Sequence, residues 1–156
     1  MNSASLGIAA FAVALFGAGL AGAQDFTASP NYGTIRLPGG SAPYPYVVEI
    51  IAGGAVHAAD LGPNCGSLIS EAPDLRIVYS ASDLALALRA ISDADTVLVA
   101  NAPDGGWHCS ADGAGGHNPA LVFAQPLSGQ YDIWVGASAA GVGWPARLEV
   151  SENSPN

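Results

Sequence analysis

The sequence predicts an all-β chain folded as one antiparallel β-sandwich or barrel. Turn signals built from Gly, Pro, Asn and Asp recur about every 8–15 residues, the spacing of short antiparallel strands. Between them lie short β-branched or alternating runs. Half of the 156 residues are apolar, which is too many for a disordered chain, and the length suits one domain.

The elements follow in order. Leu6 to Leu20 is an uninterrupted apolar run ending in Ala21-Gly22-Ala23, a small-x-small cleavage pattern, so residues 1–23 read as a secretory signal peptide. The residues before the run, Met1 to Ser5, contain no Lys or Arg. The run is shorter than the ~20 residues a spanning helix needs, and no later stretch reaches that length. Residues 24–45 are turn-rich, with Thr34-Ile35-Arg36-Leu37 as an edge strand between Tyr32-Gly33 and Pro38-Gly39-Gly40.

The domain proper is expected over 46–150. Tyr46 to Ala52 is β-branched and stops at Gly53-Gly54. Leu75 to Ser80 alternates, with Leu75, Ile77 and Tyr79 on one side. Leu84 to Ile91 is ambiguous. Its Leu and Ala residues favour a helix behind an Asp83 cap, yet Leu84, Leu86 and Leu88 alternate with Ala85, Ala87 and Arg89. Thr96 to Ala100 is a fully apolar strand before the turn Asn101 to Gly106, and Ala120 to Phe123 follows Asn118-Pro119. In Gly129 to Val135, Tyr131, Ile133 and Val135 face one way and Gln130, Asp132 and Trp134 the other. Arg147 to Val150 closes the pattern, and residues 151–156 read as a frayed tail.

Charge excludes several functions. The chain has 13 Asp and Glu against four Arg and no Lys, for a net charge of −9. Four arginines cannot form the basic face that displaces counterions from phosphates, so a nucleic-acid partner is excluded. Attraction to anionic lipid is excluded for the same reason.

Cys65 and Cys109 are the two cysteines. In an oxidising compartment an even pair most simply makes one disulfide. Two alternatives stand beside it. One is a metal site using both thiolates with His108 or His117, although no close C-x-x-C pair is present. The other is a catalytic thiol with His57, His108 or His117 as base.

Three motifs carry a resemblance. Ser92-Asp93-Ala94-Asp95-Thr96-Val97-Leu98-Val99, Pro103-Asp104-Gly105-Gly106-Trp107-His108-Cys109 and Gly129 to Gly136 resemble bacterial pre-peptidase C-terminal domains over roughly 83–150. Ala52-Gly53-Gly54, Cys65-Gly66 and Ala72-Pro73-Asp74-Leu75 are similar to a group of small secreted proteobacterial proteins often classed as trypsin-like peptidases. The resemblance implies a small jelly-roll-like β-sandwich. It implies that Leu84–Ile91 is a strand and that Cys65 pairs with Cys109 across the sandwich. The relatives carry several consecutive Asp after the Trp-x-Cys, where this chain has Ser110 to Pro119 with Asp112 alone.

A trypsin-like activity needs a Ser nucleophile, a His base and an orienting carboxylate. No Gly-Asp-Ser-Gly stretch and no Gly-x-Ser-x-Gly elbow occurs. Pepsin-like Asp-Thr/Ser-Gly repeats are also absent. No catalytic residue is therefore assigned.

Two ligand hypotheses remain. Asp93, Asp95, Asn101, Asp104 and Asp112 lie at strand ends and in loops, and oxygen ligands of this kind suit Ca²⁺. The competing reading is that Asp93, Asp104 and Asp112 cap turns by accepting backbone N–H groups. Trp107, Trp134 and Trp144 are candidate ligand-facing aromatics, against the default of core packing. The expected function is a secreted or periplasmic, non-catalytic binding or accessory domain for a polysaccharide, an envelope component or another secreted protein, with or without a structural Ca²⁺. The alternative is a secreted hydrolase built on a His/Asp/Ser constellation.

Overall fold

The computed structural model describes residues 25–41, 45–113, 116, 118–138 and 143–153. The expected signal peptide and His117 lie outside the described residues. Eleven strands follow in chain order: β1 Thr34–Pro38, β2 Tyr46–Ala52, β3 Val56–His57, β4 Leu68–Ile69, β5 Leu75–Ser80, β6 Ala85–Ile91, β7 Thr96–Asn101, β8 Trp107–Ser110, β9 Ala120–Phe123, β10 Gly129–Ala137 and β11 Trp144–Asn153. A single 3-10 turn, Ala59–Leu61, separates β3 from β4. No helix among the described residues is long and apolar enough to cross a membrane.

The strands form two sheets, and the fold is an all-β sandwich. The larger sheet holds β1, β5, β10, β7 and β8, with β4 and β3 continuing beyond the end of β5 along β10. The smaller sheet runs β2-β11-β6-β9. From β5 to β11 the chain passes repeatedly between the sheets, as in a jelly roll. One pair departs from the antiparallel expectation: β1 runs parallel to β5, with Ile35 opposite Ile77. The excursion through β2 lets β1 and β5 lie side by side in the same direction.

The ambiguous segment settles as a strand over Ala85–Ile91, β6, with Leu84 in the bend before it. Leu86, Leu88 and Ala90 point into the core, and a partner stands on each side: β11 pairs it over Ala85 to Ile91 and β9 over Leu86 to Arg89. Cross-strand pairing outweighs the helix propensity of Leu and Ala. The last strand is longer than expected. β11 continues through Ser151 to Asn153, and Glu152 is buried. Its carboxylate accepts hydrogen bonds from Tyr79 Oη at 2.7 Å, Gly40 N at 3.0 Å and Ser82 Oγ at 3.2 Å.

Two cores result. The main one lies between the sheets and takes Leu75, Ile77 and Tyr79 from β5, Tyr131, Ile133 and Val135 from β10, and Leu148 and Val150 from β11. The second lies on the outer face of the larger sheet. It gathers Val97, Val99 and Trp134 under Ala58, Cys65 and Ile69, with Trp107 and Cys109 packed against them. The chain from Gly53 to Ile69 therefore roofs the outer face, and β7 is buried on both sides.

The disulfide Cys65–Cys109 is formed, but it does not cross the sandwich. Cys109 stands opposite Val99 on β8, on the outer face, and Cys65 belongs to the roof. The bond ties the roof to the larger sheet. With both sulfurs in it, neither thiol is available for a metal or for catalysis.

Candidate functional site

The outer face of the larger sheet is open at one end, where β7 turns into β8. A cleft of about 470 Å³ lies there, within the range of small-ligand sites. Asn101, Ala102, Pro103, Gly105 and Trp107 line it from the β7–β8 hairpin, Ser128, Gly129, Gln130 and Asp132 from β10 and the turn before it, and Phe26 from the N-terminal segment.

Local chemistry fixes each wall. In the hairpin, Ala102 N donates to Gly106 O at 2.9 Å, and Asp104 Oδ1 accepts Gly106 N at 2.9 Å. Asn101 Nδ2 donates to Gly105 O at 3.2 Å and Gly106 O at 3.5 Å. On the other side, Tyr131 Oη accepts Leu127 N at 2.9 Å and donates to Leu127 O at 3.0 Å, which pins the turn carrying Ser128 and Gly129. Burial pushes the Tyr131 hydroxyl's pKa up, so the donor is retained.

The floor is an ion pair. Arg76 Nε meets Asp132 Oδ1 at 2.7 Å, and Asp132 is almost fully buried. Gln130 Nε2 donates to Asp132 Oδ2 at 2.7 Å. Arg76 Nη2 continues outward to Phe26 O at 2.6 Å and Ala28 O at 3.1 Å. Asp25 shapes the same turn. Its Oδ1 accepts Thr27 Oγ1 at 2.5 Å, Thr27 N at 2.8 Å and Ala28 N at 3.2 Å, and the Thr27 hydroxyl, then the backbone donors, hold its pKa below the usual value. The exposed Phe26 is thereby fixed at the rim.

Of the three tryptophans, Trp107 alone lines this cleft. It is half-buried, and its ring lies 5.4 Å from that of Trp134 at a 42° tilt. Trp134 is fully buried in the second core, so it does not face a ligand. Its placement on the face of Gln130 and Asp132 was legible; the roof that covers it was not. Trp144 is 41% exposed, at the start of β11 opposite Ala52.

The five oxygen-bearing residues are not brought together. Asp93 and Asp95 precede β7, whereas Asn101 ends it and Asp104 follows, about 17 Å further along at the usual strand rise. β8 returns antiparallel, with Leu98 opposite Ser110, which carries Asp112 back toward the first end. No group of three His, Cys, Asp or Glu side chains placed to hold a metal exists among the described residues. Asp104 has the turn-capping role, while Ser92 rather than Asp93 caps its turn, its Oγ accepting Ala94 N at 3.1 Å.

The two described histidines stand apart. His57 belongs to the roof, on β3. His108 stands on β8 with its ring 5.0 Å from Phe123 of the smaller sheet.

Sequence reasoning missed Phe26, Gln130 and Arg76 as parts of this site. Only the alternation placing Gln130 and Asp132 on one face pointed toward it. Residues 76, 101 and 130 meet through sheet pairing, and Phe26 joins them through its carbonyl's bond with Arg76, contacts that no local pattern encodes.

No family model matches the chain, and no curated protein matches it. Among solved structures, it is similar to Aeromonas hydrophila PliG, a periplasmic lysozyme inhibitor of g-type lysozyme. The two share 19% identity and a TM-score of 0.38, over 77% of this chain and 97% of that one. A likeness of that size says nothing about what this chain binds.

Proposed function

We propose that this protein is a secreted or periplasmic, non-catalytic binding or accessory domain whose ligand seats in the Trp107 cleft. One observation carries the reading. Trp107 is braced against the buried Trp134 at the edge of a preformed cleft whose polar walls are held by their own hydrogen bonds. A site that is rigid before binding loses little entropy on binding. The motifs that resemble pre-peptidase C-terminal domains, auxiliary sandwiches found beside secreted proteases, include this hairpin. The disulfide supports an oxidising compartment.

The test runs on two arms. Wild-type protein is expected to co-sediment with purified murein sacculi or insoluble polysaccharide, and Trp107→Ala is expected to stay in the supernatant. Failure of the wild type to pellet with either material, or equal pelleting of the variant, removes the cleft as the binding site. A fluorophosphonate probe and a casein assay are both expected to be negative. Labelling at one serine together with casein hydrolysis would replace the binding reading with the hydrolase.

A further inference from the structure

The cleft also carries information about the class of ligand, which rests on the binding reading above. Its lining is electrically neutral although the protein is strongly acidic. Among the described residues Asp132 is the single acidic or basic side chain lining it, and Arg76 pairs with it from below. The Arg76 guanidinium is further engaged by two backbone carbonyls. An anionic ligand therefore meets no available cation here.

The polar groups of the wall offer both acceptors and donors. The side-chain N–H₂ of Asn101 is used on Gly105 and Gly106, and one N–H of Gln130 on Asp132, while the second N–H of Gln130 and the Ser128 hydroxyl, which accepts Ala81 N, can still donate. Their amide oxygens, Asn101 Oδ1 and Gln130 Oε1, have no partner among the described residues. Each can accept two hydrogen bonds. Beside them lie the Trp107 indole and the exposed Phe26 ring. A ligand that fits presents hydroxyls, which both donate and accept, at its edge and an apolar C–H face to an aromatic ring, without charge.

We infer that the cleft is a subsite for a neutral saccharide, with one pyranose ring packed on Trp107 and its hydroxyls donating to Asn101 and Gln130.

The experiment titrates the full mature chain with four neutral tetrasaccharides (chitotetraose, cellotetraose, maltotetraose and mannotetraose) and with tetragalacturonate as the anionic control. The readouts are intrinsic tryptophan fluorescence and the indole N–H resonances. At least one neutral sugar is expected to shift the Trp107 indole resonance, with tetragalacturonate binding at least tenfold more weakly. Gln130→Ala and Asn101→Ala, surface changes whose melting midpoints are checked against wild type, are each expected to weaken binding about fivefold or more. Trp107→Ala is expected to abolish it, and Trp144→Ala to leave it unchanged. No response to any neutral sugar at millimolar concentration overturns the assignment, as does equal binding of the uronate or of the Gln130 and Asn101 variants. The two readings fail separately. Trp107-dependent pelleting with sacculi but no response to free neutral sugars sinks the saccharide and keeps the binding domain, whereas loss of both sinks both.

Discussion

Asp74 shows how one side chain couples the N-terminal segment to the sandwich. It is 2% exposed and follows Pro73 at the entry to β5. Its Oδ2 accepts Val135 N at 2.8 Å, and its Oδ1 accepts Asn31 Nδ2 and Ser70 Oγ, each at 3.3 Å. Burial outweighs these donors and lifts its pKa to about 6. The folded state then holds a proton that the unfolded chain releases near pH 4. The contribution of this group to stability is therefore greatest below pH 4 and declines as pH rises to 6, by up to roughly 3 kcal/mol. Asp74→Asn keeps the amide oxygen as acceptor and cannot titrate. Urea unfolding at pH 4, 5, 6 and 7 is expected to show the variant gaining on wild type from pH 4 to 6 and holding level above. A constant difference across that range would count against the buried, titrating carboxylate. None of this was readable locally, because burial depends on Val135, which lies 61 residues downstream. Asp132 makes the same point. Alternation put it on the outward face, yet it is buried, because Arg76 from the neighbouring strand neutralises it there.

At the scale of elements, strands with strong alternation were legible and those defined by their neighbours were not. β5, β10 and β11 place the predicted residues inward. β8 lies outside every strand the sequence predicts, since Trp107-His108-Cys109 has no apolar period, and it is a strand because it pairs with β7. β3 and β4, two residues each, were invisible for the same reason. The roof they belong to depends on close backbone approach. A Cβ on Gly54 would overlap the backbone of Ile69, and one on Gly136 would overlap the Ser67 side chain. Gly54→Ala must push β4 away from its place, and overpacking of this kind costs about 1–3 kcal/mol. Gly66, in the same roof, has nothing within 4 Å of an added Cβ. Gly66→Ala is expected to leave the urea midpoint within error of wild type while Gly54→Ala lowers it. Equal midpoints would mean that the roof does not sit this tightly.

At the scale of the whole molecule, the disulfide and the sheet order decide what is open and what is closed. Cys65 and Cys109 are separated by 44 residues, and they join the roof to β8. Chain-entropy reasoning assigns a loop of this length about 4 kcal/mol, before any compensation. The double variant Cys65→Ser/Cys109→Ser is expected to lose roughly 2–4 kcal/mol in urea unfolding. It should also exchange amide hydrogens faster between 54 and 67 than in β10. Uniform acceleration would show the bond acting on the whole fold rather than on the roof. The roof shapes the proposed site because it covers Trp134 fully and Trp107 only in part. Where it covers the outer face, Trp134 is core; where it ends, Trp107 borders the cleft.

The amino-acid pattern alone determined the β class, the faces of β5 and β10 and the one pair of cysteines, because these depend on period-two alternation, turn residues and composition. It also determined that no basic face exists. The tertiary structure decided that β6 is a strand, that β1 runs parallel to β5, that the disulfide sits outside the sandwich and that the scattered acidic residues do not converge. It alone joined Phe26, Arg76, Asn101, Trp107 and Gln130 into one cleft. The physical reason is common to all of these. Pairing, burial and convergence depend on which strands become neighbours across long stretches of chain, and that is settled by the packing of the whole molecule rather than by any local run of residues.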